Sequence, residues 1–336
     1  MRKRLRLQFG LLAVAFVLTV LFAGNLHSQV FGSSLLPVAP LALPAVASAQ
    51  SPTASSIGSS PSMTATTSVT STSLFDGQSA YQFAFDQCAL GPRPTGSVAG
   101  QATGDYIIKQ LKASGWEVSE QKFTYLGLGG RNIIGVKGSG PVVLLGAHYD
   151  TRPIADRDPN DTKKPVPGGN DGASGVAVLL ELARTLDMSK LNGQVSLAFF
   201  DAEDRGGLDG WPFSVGSEYM AANLTVRPEY MVLVDMIGDR DQNIYWETNS
   251  NPALMQDLWS IANALGYSAQ FIPENRWGLT DDHIPFVNRG IPSVDIIDFD
   301  YPYWHTALDT CDKISPESLE RVGRVLQVWL GQQKGM

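Results

Sequence analysis

The chain has 336 residues, of which 43% are hydrophobic and only 17% charged, enough for a sizeable core and one or two domains. A formal net charge of −8, spread without a tail-like run, argues against nucleic acid as the main partner, because phosphate binding requires a basic surface. Two cysteines, Cys88 and Cys311, are too few and too far apart for a zinc knuckle or a CxxC redox motif. They fit either one disulfide tying the ends of the folded region or two buried thiols, and the sequence leaves both open.

Arg2, Lys3, Arg4 and Arg6 precede a stretch from Phe9 to Gly24 without a charge. A basic flank before an apolar run is an export signal, so residues 1–24 read as a signal peptide or a retained membrane anchor. The nearest small-residue cleavage pattern, Ala47-Ser48-Ala49, lies well beyond the apolar run. Residues 25–74 are rich in Ser, Thr, Ala and Pro without apolar periodicity and read as a flexible stalk. The protein is thus expected to be secreted or tethered outside the membrane, touching lipid only through its amino terminus.

Residues 75–336 read as one catalytic domain. Thr103 to Ala113 has helical spacing and stops at Gly115, while Glu117 to Tyr125 and Asn132 to Val136 read as strands. Val142 to Ala147 is a central strand ending at His148 and Asp150. A long polar loop follows, and loops of that length beside a site are usually functional or disordered. Asp171 opens a helix with Val176, Leu179, Leu180 and Ala183 on one face. Val195 to Phe200 is a second central strand, followed by Asp201, Glu203 and Asp204, and Tyr230 to Val234 a third, ending at Asp235. Asn251-Pro252 caps a further helix, Ser293 to Ile297 is a fourth strand, and Ser315-Pro316 opens a last amphipathic helix. The alternation predicts an α/β fold with a mixed, mostly parallel central sheet sandwiched between helices.

Sites in such sheets gather at the carboxyl ends of strands. Here those ends carry His148 and Asp150, Glu203 and Asp204, Asp235, and His305 after the fourth strand, with Asp171 at a helix start. Each pattern alone is common: an HxD is often a hydrogen-bonded loop pair, and an acidic doublet is often surface. Jointly they point to zinc held by imidazole and carboxylate, with an unbound carboxylate as acid or base. Three of the four histidines, all but His27, sit within four residues of an acidic residue at expected element ends.

The segments RPTGS, GAHYDT, NDGASGVAVLLELAR, FFDAED, YMVLVDMIG, DDHIPFVNRGIP and YWHT, in this order, resemble the zinc aminopeptidase superfamily. Within it they are similar to the animal-type glutaminyl cyclases. That resemblance implies one zinc held by Asp171, Asp204 and His305, with Glu203 as catalytic acid/base and Asp235 and Asp281 in a proton-relay chain. It implies that an amino-terminal glutamine of a peptide or protein is cyclised to pyroglutamate, releasing ammonia. The aminopeptidases of the superfamily hold a second metal on residues matching His148 and Asp235, so His148, Asp150 and Asp235 have a second-metal or supporting role in that alternative. Asp281, where aminopeptidases commonly have Ser, and Trp304 beside His305 lean toward the cyclase, and Trp211 resembles a cyclase tryptophan near the pocket. Two departures stand out: Asp204 replaces a Glu found in many members, and the loop around Trp211 is differently spaced. A third reading, an inactive tethered binding domain, is disfavoured by the retained Glu203 and ligand set.

Overall fold

The computed structural model describes residues 74–333. The expected leader and the stalk up to residue 73 lie outside the described residues. Among the described residues, no helix is long and apolar enough to cross a membrane.

The chain begins with two helices, α1 (Gly77–Ala89) and α2 (Val98–Ala113). Asp76 caps α1 by accepting from Gln78 N–H, and Ser97 caps α2 by accepting from Gly100 N–H. The Ser97 cap moves the start of α2 ahead of the apolar spacing that suggested Thr103. Then come β1 (Glu117–Tyr125), β2 (Leu128–Gly138), β3 (Val142–His148), α3 (Ala173–Thr185), β4 (Gln194–Phe200), α4 (Val215–Ala222) and β5 (Tyr230–Asp235). The remainder is β6 (Ile244–Glu247), α5 (Pro252–Ala264), β7 (Phe271–Trp277), α6 (Ile284–Val287), β8 (Ser293–Ile297) and α7 (Pro316–Gln332).

Six strands form one sheet in the order β1-β2-β4-β3-β5-β8. The β1–β2 and β2–β4 pairs are antiparallel, whereas β4, β3, β5 and β8 run parallel. This is the mixed, mostly parallel sheet expected, and β6 and β7 add a separate parallel pair. Both faces are covered, which explains why the central strands are apolar at nearly every position. On one face Val143 and Leu145 of β3, Val195 and Leu197 of β4, and Val232 and Val234 of β5 join α1, α3, α5 and α7 in the large core. The alternate residues Leu144, Ala198, Phe200, Met231 and Leu233 pack with Met220 of α4 and Phe286 of α6 on the other.

Helix α3 is buried along almost its whole length, with the sheet beneath it and α1 and α7 above. Its small residues permit that depth. A Cβ on Gly172 would lie 2.4 Å from the His148 carbonyl oxygen, and one on Gly175 would lie 2.3 Å from that of Val234. The Gly-Ala-Ser-Gly run therefore seats the head of α3 directly on the ends of β3 and β5. Glu181, fully buried in this helix, accepts from Asp76 N–H and pairs with Arg184, so its charge is compensated.

Cys88, near the end of α1, and Cys311 form a disulfide across 223 positions of sequence. Of the two alternatives left open above, the structure has the bond. Removing such a long cross-link with Cys88→Ser/Cys311→Ser lowers unfolding stability by about 2–5 kcal/mol. Urea unfolding followed by circular dichroism checks this, and an unchanged midpoint refutes it.

Candidate active site

The carboxyl ends of β3, β4 and β5 deliver His148, the Asp201–Asp204 segment and Asp235 to one edge. The head of α3 adds Asp171, and the loop after β8 adds His305. Asp171 joins two groups of donors. Its Oδ1 lies 3.0 Å from Nε2 of His148, and its Oδ2 lies 3.9 Å from Nε2 of His305. His148 Nε2 is also 3.1 Å from Asp235 Oδ1, and His305 Nε2 is 3.1 Å from Asp204 Oδ1. The triads Asp171–Asp204–His305 and His148–Asp171–Asp235 are both buried, and within each the donor atoms lie within 4.8 Å of one another.

A divalent cation fits the first triad on its own geometry. Asp204 is 1% exposed and its carboxylate oxygens make no well-formed hydrogen bond, although His305 Nε2 lies 3.1 Å and an Arg152 guanidinium nitrogen 3.7 Å from Oδ1. A buried carboxylate so loosely paired is costly unless a cation comes closer than that guanidinium. Two carboxylates and an imidazole are a hard-to-borderline donor set suited to zinc with an open position. The second triad could hold another ion or, with His148 on both carboxylates, do without one.

Glu203 shares a cavity of about 450 Å³ with Asp171, Asp204, Asp235, Asp281 and His305. Burial pushes its carboxyl well above the usual range, with Asp281, Asp204 and Asp282 adding to the effect against the charge of His148. Burial likewise raises Asp235 to about 7, and raises Asp281 as well. Asp171 differs: burial opposes its charge, but the hydrogen bond and charge of His148 and the charges of His305 and Arg152 keep its pKa low. Glu203 can therefore hold a proton near neutral pH while Asp171 remains a ligand-ready anion.

The backbone around these groups is clamped. Asp150 Oδ1 accepts from Glu203 N–H at 3.1 Å, while its Oδ2 accepts from Asp204 N–H and the Thr95 hydroxyl. The structure thus gives Asp150 a supporting position under the doublet, outside both donor triads. Ala202, Met236 and His305 all have positive φ, at 65°, 46° and 57°. Non-glycine residues in that region persist where surrounding contacts over-determine them, and these three flank or form the site.

The long loop after β3 is structural support. Arg152 donates to the carbonyls of Asp204 and Gly206 and pairs with Asp156. Arg157 donates its N–H to the His305 carbonyl, and its guanidinium lies 4.1 Å from the Trp304 ring centroid. Trp304 lines the cavity, and its ring centroid is 4.0 Å from that of His305. Trp211 is placed elsewhere. Its ring packs edge-on against Tyr125 at 4.9 Å, in a small cluster with Phe123 and Val215, and its neighbours Pro212 and Phe213 line the cavity instead.

Two residues passed over in the sequence fix the backbone that leads into Asp171. Asp309 accepts from the N–H groups of Asn170 and Asp171 and from the Tyr301 hydroxyl. Arg93, fully buried, donates to the carbonyls of Tyr149, Pro167 and Gly168, which explains the RPTGS motif as a brace. An Asp four residues beyond His305 was the available signal for the first. A lone arginine carries no comparable mark.

Comparison with known proteins agrees with this geometry. The chain is 26% identical over 251 residues to an aminopeptidase of Bacillus subtilis, covering 68% of this chain and 51% of that protein, so it spans about half of that relative's length. Among solved structures, a Porphyromonas gingivalis glutaminyl cyclase matches with a TM-score of 0.74 and 36% identity, over 77% of this chain and 99% of its own. A Zn-dependent exopeptidase from Parabacteroides distasonis matches with a TM-score of 0.74 and 34% identity, over 78% of this chain and all of its own (100%). Residues 132–330 match the profile described as Peptidase family M28, and the chain belongs to that family.

Proposed function

We propose that this protein is a zinc-dependent glutaminyl-peptide cyclotransferase, converting the amino-terminal glutamine of peptides and proteins to pyroglutamate with release of ammonia. The observation that carries the reading is a buried Glu203 sharing one cavity with the Asp171–Asp204–His305 triad and with two further carboxyls, Asp235 and Asp281. Likeness to glutaminyl cyclases supports it. The leader read in residues 1–24 supports a location outside the cytoplasmic membrane, secreted or tethered.

Asp171, Asp204 and His305 would hold the zinc, which when bound supplies Lewis-acid polarisation of the substrate γ-carbonyl. Glu203 accepts a proton as the peptide's α-amine attacks the γ-carbon. It then returns a proton to the departing amide nitrogen, which leaves as ammonia. One C–N bond forms, one breaks, and no water is consumed. A carboxyl raised by burial suits both transfers, because acid and base work best when the pKa lies near the working pH. Asp235 and Asp281 keep protons available around Glu203, since burial raises both. Trp304, beside His305, forms a wall for the glutaminyl side chain.

One observation favours a second reading. The His148–Asp171–Asp235 triad offers a place for another ion, as a water-activating aminopeptidase would need. A purely binding role is the weakest reading, because the cavity contains both Glu203 and a complete donor set.

Glu203→Gln retains one zinc per chain and lowers kcat by about 10²–10⁴. Steady-state kinetics with metal analysis checks it, and near-normal turnover refutes the role. His305→Ala loses the zinc, measured by plasma emission on dialysed protein, and a variant still holding one ion per chain removes His305 from the donor set. The decisive assay offers the domain an amino-terminal glutaminyl amide and a leucyl anilide. Ammonia and pyroglutamate from the first alone are expected, whereas anilide cleavage alone establishes the peptidase.

A further inference from the structure

A second cavity, of about 430 Å³, lies beside the first and shares four wall residues with it: Pro212, Phe213, Thr280 and Asp281. Its remaining walls come from three elements outside the proposed chemistry: the end of β1, helix α4 and helix α6. We propose that this groove is the subsite for the two residues that follow the terminal glutamine, and that it selects apolar or aromatic side chains there. The assignment rests on the cyclase reading.

Continuity of the two cavities is the first argument. In that reading both reacting atoms belong to the terminal residue, so the rest of the peptide must leave along a wall of the first cavity. Each extended residue advances about 3.3–3.6 Å, so the next two side chains fall within reach of an adjoining groove. Phe213 stands between the cavities and is held there from behind. A Cβ on Gly206 would come within 2.1 Å of its ring, and the Arg152 guanidinium lies 5.8 Å from its ring centroid. Arg152 also donates to the Asp204 carbonyl, so the wall of the groove is tied to the backbone of the donor set.

The chemistry of the lining is the second argument. Phe123 and Tyr219 stack with ring centroids 5.3 Å apart, and Tyr219 keeps 38% of its surface exposed. Tyr125, Ile284 and Pro285 extend the apolar wall. The charged groups of the groove are both acidic: Asp281 on the shared wall, and Glu218, whose carboxylate pairs with Arg289. Such a surface gains by covering apolar side chains and offers a buried acidic one no free cation to pair with.

The test compares Gln-Phe-Phe-amide, Gln-Ala-Ala-amide and Gln-Glu-Glu-amide on the zinc-loaded protein, with pyroglutamyl product and ammonia both measured. The phenylalanyl peptide is expected to exceed the alanyl one about tenfold in kcat/KM, the scale of partial burial of an aromatic side chain, with the glutamyl peptide below both. Tyr219→Ala, which opens the groove, and Ala222→Trp, which fills it from an exposed position on α4, should each bring the phenylalanyl-to-alanyl ratio toward one. Equal kcat/KM for the three peptides, or a preference unchanged in both variants, overturns the subsite while leaving the cyclase reading intact. Absence of pyroglutamate from every peptide overturns the cyclase reading and this assignment with it.

Discussion

An excess of buried negative charge at the carboxyl edge of the sheet governs the rest of the molecule. Asp171, Glu203, Asp204, Asp235 and Asp281 share one cavity, with His148 and the backbone brace Arg93 close by. Removing isolated carboxylates from water is prohibitive, so each must be protonated, paired or faced by a cation. The structure divides the five along those lines. Asp171 is stabilised as an anion by His148; Glu203, Asp235 and Asp281 are pushed toward their protonated forms; and Asp204, also raised by burial, faces His305 and Arg152 without a well-formed hydrogen bond. That division separates the adjacent residues Glu203 and Asp204 into a proton carrier and a candidate ligand, though they are one position apart.

Holding such an arrangement demands more than the side chains themselves. The Asp150 carboxylate under the doublet, the Asp309 carboxylate under Asn170 and Asp171, and the buried Arg93 on three carbonyls are polar groups used as backbone fixings. They also satisfy backbone groups that the irregular loops would otherwise leave unpaired. The disulfide at Cys311 anchors the chain two residues beyond Asp309 to α1, and Tyr81 of α1 donates to the Cys311 carbonyl. The link thus secures the loop that carries both His305 and Asp309. Positive φ at Ala202, Met236 and His305 is sustained by this set of restraints.

The parallel strands, and the residues at their ends, were readable in the sequence because two periodicities coincided there. An apolar run buried on both faces has few alternatives, and each run stopped at side chains unsuited to a core. Asn251 and Ser315 were equally plain, since a capping residue before proline marks a helix start from local chemistry alone. Helix α1 was not anticipated. Its buried residues are chiefly Gly77, Ala80 and Ala84, so its place depends on packing against α3 and α7 rather than on a strong stripe. Short α4 and α6 and the largely exposed β7 lacked enough residues to show a period. Asp150, Asp309 and Arg93 act on backbone atoms distant in sequence, which no local pattern encodes. Trp211 illustrates the opposite hazard: its neighbours turn toward the cavity, while the tryptophan itself packs on Tyr125.

Two reactions are compatible with this edge because they differ in what Glu203 deprotonates. A base beside an ion can take a proton from a water or from the substrate's own amine, and the carboxylate alone does not distinguish them. What would distinguish them is how many of the two donor triads hold an ion. In both triads an ion has to displace an existing contact at 3.0–3.1 Å, from His148 to Asp171 and Asp235 in one and from His305 to Asp204 in the other. Burial raises the Asp204 carboxyl of the first triad as well as that of Asp235 in the second, so in either triad a carboxyl has to give up its proton to an ion. The choice between internal attack by the substrate's amine and attack by an activated water therefore turns on whether the His148–Asp171–Asp235 triad takes up an ion beside the one suited to Asp171–Asp204–His305.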